Sequence, residues 1–208
     1  MMKKRKRNFS SFDLAAAFKE LGITRLNVWR IKASPVAPSK FYHDRLRRLE
    51  VVFDMTTSES AKELLIDAIC EEALIKHPMI KVWKAVPVQS DDLTGTVDYV
   101  AAPQRRYLDN PLLCVVEAKK DDFEQGLAQC LVEMKACQWS NEQAGKRIDI
   151  YGVVTNGEGW KFYRLSTAVQ VYESRLYAFL GEIAQILGNL SFIFAQCEKN
   201  AALFLNAV

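Results

Sequence analysis

The chain has 208 residues, half of them hydrophobic, and a formal net charge of +3; this excludes a disordered or fibrous protein and suits one domain with an appendage. Five cysteines, odd in number, without a CxxC pair and mostly on apolar faces, argue against a disulfide framework and for reduced thiols in a cytoplasmic protein, and two histidines are too few for a structural zinc. Residues 1–50 hold 13 Lys or Arg against 4 Asp or Glu, and the remainder 15 against 21, so a basic front precedes an acidic body.

Lys3, Lys4, Arg5, Lys6 and Arg7 open the chain. No apolar core follows them, so they do not form a signal peptide. A disordered arm free to contact phosphates is expected, with a solubilising tail as the alternative. Ser11 or Asp13 is placed to cap a helix over 14–21 that Gly22 closes, and Leu26–Ile31 follows as a short helix or strand. The pair superficially resembles a helix-turn-helix, but Phe18 stands where such motifs prefer a small residue. Residues 33–40, with Pro35 and Pro38, read as a linker, and Phe41–Phe53 as a basic helix with Arg45, Arg47 and Arg48. Residues 1–55 are thus expected to form a basic helical N-terminal segment.

Thr56–Ser60 supplies caps for a helix from Glu59 to about Lys76. Its apolar stripe runs through Ala61, Leu64, Leu65, Ala68, Ile69 and Ile75, and Glu72 falls inside it. Met79–Val88, Thr94–Ala101 and Leu112–Lys119 read as strands, with Trp83 in the core and Asp91 and Asp92 in a solvated turn. A helix begins at Asp121 or Asp122, buries Phe123, Leu127, Cys130, Leu131, Met134 and Cys137, and carries Gln125 and Gln129 on one flank. Strands over 148–155 and 160–165 follow, joined by Asn156-Gly157, with an extension over 169–172. Such alternation predicts an α/β fold with a mixed sheet and helices on both faces, its core spanning 56–173. The apolar stretch 175–196 is broken by Glu182, Gln185 and Asn189 and weakened by Gly181 and Gly188. It reads as core or dimer-interface helices within an addition over 174–208, not as a membrane anchor.

Asp98 interrupts a run of β-formers, and Glu117 with Lys119 sits where an apolar strand would otherwise continue. Charges enter a sheet at a desolvation cost of several kcal/mol unless paired or metal-bound. Strand alternation points Glu117 and Lys119 the same way. If Asp98 faces them from a neighbouring strand, two carboxylates, an ammonium and a backbone carbonyl converge, a donor set suited to Mg²⁺. Such a group suits phosphodiester hydrolysis.

Asp98, then Glu117-Ala118-Lys119, then a helix bearing Gln129, resembles the PD-(D/E)xK nuclease superfamily and its restriction-endonuclease-like fold over about residues 59–165. The resemblance implies Asp98 and Glu117 as metal ligands, joined by the Ala118 carbonyl, for Mg²⁺ with Mn²⁺ as the alternative. It also implies Lys119 as the catalytic lysine, Gln129 as a polar helper and a glutamate from the preceding helix, Glu72 or else Glu59. Val97 stands where the family usually has proline. The implied activity is a DNA endonuclease of restriction, defence or repair type, with Lys120 beside the basic arm as a phosphate contact and a homodimer if both strands are cut. The alternatives are a non-catalytic nucleic-acid-binding protein and a protein-interaction module. No Gly-x-Ser-x-Gly elbow, P-loop or His-Glu-x-x-His is present.

Overall fold

The computed structural model describes residues 5–55, 58–118 and 122–205. In chain order the elements are β1 (Arg7–Asn8), a 3-10 turn (Phe9–Ser11), α1 (Leu14–Leu21), β2 (Asn27–Val28), α2 (Lys40–Val52) and α3 (Glu59–Leu74). Then come β3 (Ile80–Gln89), β4 (Leu93–Pro103), β5 (Cys114–Ala118), α4 (Phe123–Gln143), β6 (Ile150–Thr155), β7 (Gly159–Leu165), β8 (Val171–Glu173), β9 (Tyr177–Ala178) and α5 (Phe179–Leu205). Local chemistry sets several boundaries. Asp13 accepts from the Ala16 amide at 2.7 Å to start α1, and Gly22, at φ +69°, ends it. Ser58 accepts from Ala61 to start α3, and Asp122 from Glu124 and Gln125 to start α4.

The strands form one mixed sheet in the order β1-β4-β5-β6-β7-β8-β2, with β3 on the other edge of β4 and β9 on β7. β3, β4 and β5 are antiparallel neighbours. β5 and β6 are parallel because α4 carries the chain back between them. The pleat separates two layers: Cys130 Sγ of α4 lies 2.6 Å from where a Cβ on Gly152 would stand, whereas the adjacent Tyr151 senses Cys197 of α5. α4 covers one face beneath α1, α5 and α3 the other, and α2 rests on α3. No helix among the described residues is long and apolar enough to cross a membrane.

Several expectations are corrected. Of the two readings of 26–31, helix or strand, the strand holds: β2 pairs parallel with β8, so the helix-turn-helix likeness does not extend past α1. The 33–40 segment is packed rather than free: the Val36 amide donates to the Ala184 carbonyl of α5 at 2.8 Å, and a side chain on Gly188 would collide with the Ser34 carbonyl. Gly188 therefore weakens helix propensity but permits this crossing. Residues 5–55, expected as helical, hold helices α1 and α2 but also give two strands, β1 and β2, to the common sheet. Ile75 is exposed, and α3 instead buries Leu65, Ile66, Ala68, Ile69, Cys70 and Ala73. The start of the 175–196 stretch is strand β9, and Leu180–Glu182 leave helical geometry, with Gly181 at φ +89°.

Candidate functional site

Asp98 lies where β4 and β5 part. The two strands pair from Tyr99–Val116 to Ala101–Cys114. Just before that register, the Asp98 Oδ2 accepts a hydrogen bond from the Ala118 amide at 2.9 Å. A side chain thus replaces the backbone ladder at the end of β5. Glu117, next to Ala118, is 1% exposed, and by alternation it shares the α4 side of the sheet with Val115. The fork thereby joins Asp98 to the strand end that carries Glu117. Lys119 and Lys120 lie outside the described residues, as do Lys3 and Lys4.

Above Glu117, α4 is buried almost all round because α1 covers its outer side. Gln125 and Gln129 are not surface glutamines: the Gln125 amide donates to the Phe12 carbonyl at 3.1 Å, and Gln129 is buried one turn later. One turn beyond is Glu133, fully buried. Burial pushes the Cys130 thiol well above its usual range, and the charges of Glu133 and then Glu117 push it further, so both carboxyl groups lie near that sulfur. Sequence reasoning missed Glu133. The signal was its place three residues after Cys130 and four before Cys137, inside the apolar stripe.

Glu72 is not brought to this fork. Its carboxylate accepts from the Ser39 amide at 2.7 Å and the Ser39 hydroxyl at 2.9 Å, securing the start of α2. The end of α3 near the fork is marked by Lys62, whose Cβ lies 3.9 Å from where a Cβ on Gly157 would stand, just past the Thr155–Ala118 pair. Glu72 is ten residues further along, about 15 Å at ~1.5 Å per residue. Glu59 is at the near end of the helix. The buried Lys62 was not anticipated.

A cavity of about 770 Å³ lies elsewhere, lined by Phe41, Arg45, Asp67, Lys84 and Tyr99 among others. Tyr99 follows Asp98 on the strand and so points to the opposite face. Lys84 donates to Glu63 at 3.0 Å and to both oxygens of Asp67. Burial would lower its pKa, but the hydrogen bonds and charges of Asp67 and Glu63 together raise it. His77 is buried: Nδ1 meets Glu198 Oε2 at 3.0 Å and Nε2 meets the Ser191 hydroxyl at 2.9 Å.

The arm is partly docked. Lys6 Nζ donates to Gln89 at 2.8 Å, and Arg7 is bonded to Ser11 and stacked on Phe12, while Arg5 is exposed. A free, disordered arm is therefore corrected for Lys6 and Arg7, because β1 pairs with β4 and Lys6 reaches Gln89. Among the described residues, no group of three or more His, Cys, Asp or Glu side chains is placed to hold a metal ion. Compared with family models and with curated proteins, the chain matches none.

Proposed function

We propose that the chain hydrolyses phosphodiester bonds in nucleic acid, DNA first, with Mg²⁺ or Mn²⁺ at Asp98 and Glu117. The observation that carries this reading is the fork itself: a carboxylate fixed by the Ala118 amide at 2.9 Å, beside a second acid at 1% exposure. Glu117 is buried and Asp98 half-buried at the same strand end, and carboxylates held there at a desolvation cost are well placed to gain from a cation. The donors, Asp98, Glu117 and the Ala118 carbonyl, are all oxygen and fit a hard cation. Bound there, the cation would offset charge on the scissile phosphate and acidify a water. Asp98 is aimed across the fork by its bond to Ala118. Lys119, the next residue but one after Glu117, orients or deprotonates the attacking water in this reading, and the Gln129 amide is a hydrogen-bond partner for water or phosphate.

Supercoiled plasmid and single-stranded DNA, incubated with wild type, Glu117→Ala and Lys119→Ala in Mg²⁺ or Mn²⁺ and in EDTA, test this. Cutting should need the cation and fall by about 10²-fold or more in both variants. Wild-type protein that neither cuts nor melts higher with the cation would overturn it. The competing reading is a non-catalytic nucleic-acid-binding or protein-interaction module. It draws on the Asp98–Ala118 bond, which holds the strand end with no cation. DNA binding that survives EDTA and falls steeply with salt, without cutting, would favour the nucleic-acid-binding form.

A further inference from the structure

The N-terminal strap completes the edge of β4 that carries Asp98. β3 runs along one edge of β4 from Thr94 to Pro103. On the other edge β5 pairs with Tyr99–Ala101 and β1 with Leu93–Thr94, which leaves Gly95–Asp98 between them. The strap turns over this stretch: the Phe9 ring lies on the sheet face, in the space where a side chain on Gly95 would be. Because β1 is parallel to β4, the chain after Asn8 advances in the direction of Asp98.

Arg7 is held within this turn. Its guanidinium carbon lies 3.6 Å from the Phe12 ring centroid, Nη2 donates to the Ser11 carbonyl at 3.0 Å, and Nε donates to the Ser11 hydroxyl at 3.3 Å. The Phe12 carbonyl in turn accepts from Gln125 in the first turn of α4. Arg7 nevertheless remains exposed. A guanidinium carries five N–H donors, of which Ser11 takes two.

We propose that Arg7 is the anchor for a backbone phosphate of the nucleic-acid strand whose scissile bond lies at Asp98 and Glu117. The inference rests on the nuclease reading. Stacking and bonding have already removed much of the side-chain freedom that phosphate binding would otherwise take from an arginine, and the guanidinium fork matches a phosphate's paired oxygens. Arg7 pairs with Leu93, five residues before Asp98. At about 3.4 Å per strand residue that is about 17 Å, and at about 3.4 Å of rise per nucleotide the anchored phosphate falls within about five nucleotides of the cut.

Fluorescence anisotropy with a labelled DNA duplex in Ca²⁺ tests it, using wild type, Arg7→Ala and Arg7→Lys. Arg7→Ala should bind about tenfold more weakly and lose about one unit from the slope of log affinity against log salt. Arg7→Lys should restore the slope and only part of the affinity. In Mg²⁺, Arg7→Ala should raise KM with kcat nearly unchanged. Duplexes with one neutral methylphosphonate should reproduce the Arg7→Ala deficit in wild type at a single position near the cut. If Arg7→Ala also melts lower, Arg7→Lys decides: a slope still one unit short means that Arg7 only pins the strap, and the proposal fails. Unchanged affinity and slope in Arg7→Ala overturn the anchor alone. Wild type that binds no DNA at any salt removes the anchor and the nuclease reading together.

Discussion

Replacing Asp98 by asparagine and by alanine separates holding the strand end from chemistry. Ala118, whose amide donates to Asp98, is 2% exposed, so water does not readily replace a lost acceptor. Asparagine keeps an acceptor of the same reach, and exchanging a charged for a neutral hydrogen bond costs about 1 kcal/mol. Alanine leaves the amide without that acceptor, at about 1–3 kcal/mol, and also forfeits the bond itself. At about 2–4 °C per kcal/mol for a chain of this size, asparagine should lower Tm by a few degrees and alanine by roughly twice as much. Both variants should abolish cutting and any rise of Tm with Mg²⁺, since neither supplies an anionic ligand. Circular-dichroism melts in EDTA and in Mg²⁺, run beside the plasmid assay, read all of these quantities. Equal melting of the two variants would refute the holding role, and wild-type cutting by Asp98→Asn would refute the ligand role.

Alkaline pH should unfold the protein readily. Five free thiols are buried, and burial pushes Cys70 up to about 12 and Cys114, Cys130, Cys137 and Cys197 above the usual 9.0. A raised folded-state value gives stability that is complete below the unfolded value and lost as pH climbs through the folded one. Each thiol should therefore forfeit about 1 kcal/mol by about pH 10, on the order of 5 kcal/mol together. A urea midpoint unchanged between about pH 7.5 and pH 10 would contradict this. His77→Ala, which removes the bridge to Glu198 and Ser191, should destabilise by about 2 kcal/mol yet leave cutting intact below the melting range, because His77 follows the end of α3 remote from the fork. Loss of cutting in a folded His77→Ala would mean that the site is misplaced.

What could be read in the residues was short-range. Asp13 and Gly22 bound α1, and Asp122 starts α4, because a cap bonds to backbone only two or three residues away. Strand alternation put Glu117 on one side of β5, whereas the side Asp98 faces depended on how β4 pairs with β5, and its bond to the Ala118 amide was not foreseen. The mixed sheet followed from helix and strand segments in succession. Glu72 misled because an apolar stripe tells which residues a helix buries but not what covers them: α2 covers that end, and Ser39 takes the carboxylate. Glu133 was overlooked although it lies inside the apolar stripe of α4, between Cys130 and Cys137, and it is fully buried beside Cys130.

By itself the sequence determined the helices, the strand faces and the two acids worth pairing, since each depends on neighbours within a turn or a pleat. Tertiary structure alone decided that Arg7 closes the β4 edge at Leu93, that residues 33–36 cross Gly188, and that Glu72 serves α2. Those contacts join residues far apart in the chain, and they are chosen by which surfaces and unpaired backbone groups the whole sheet leaves to be covered.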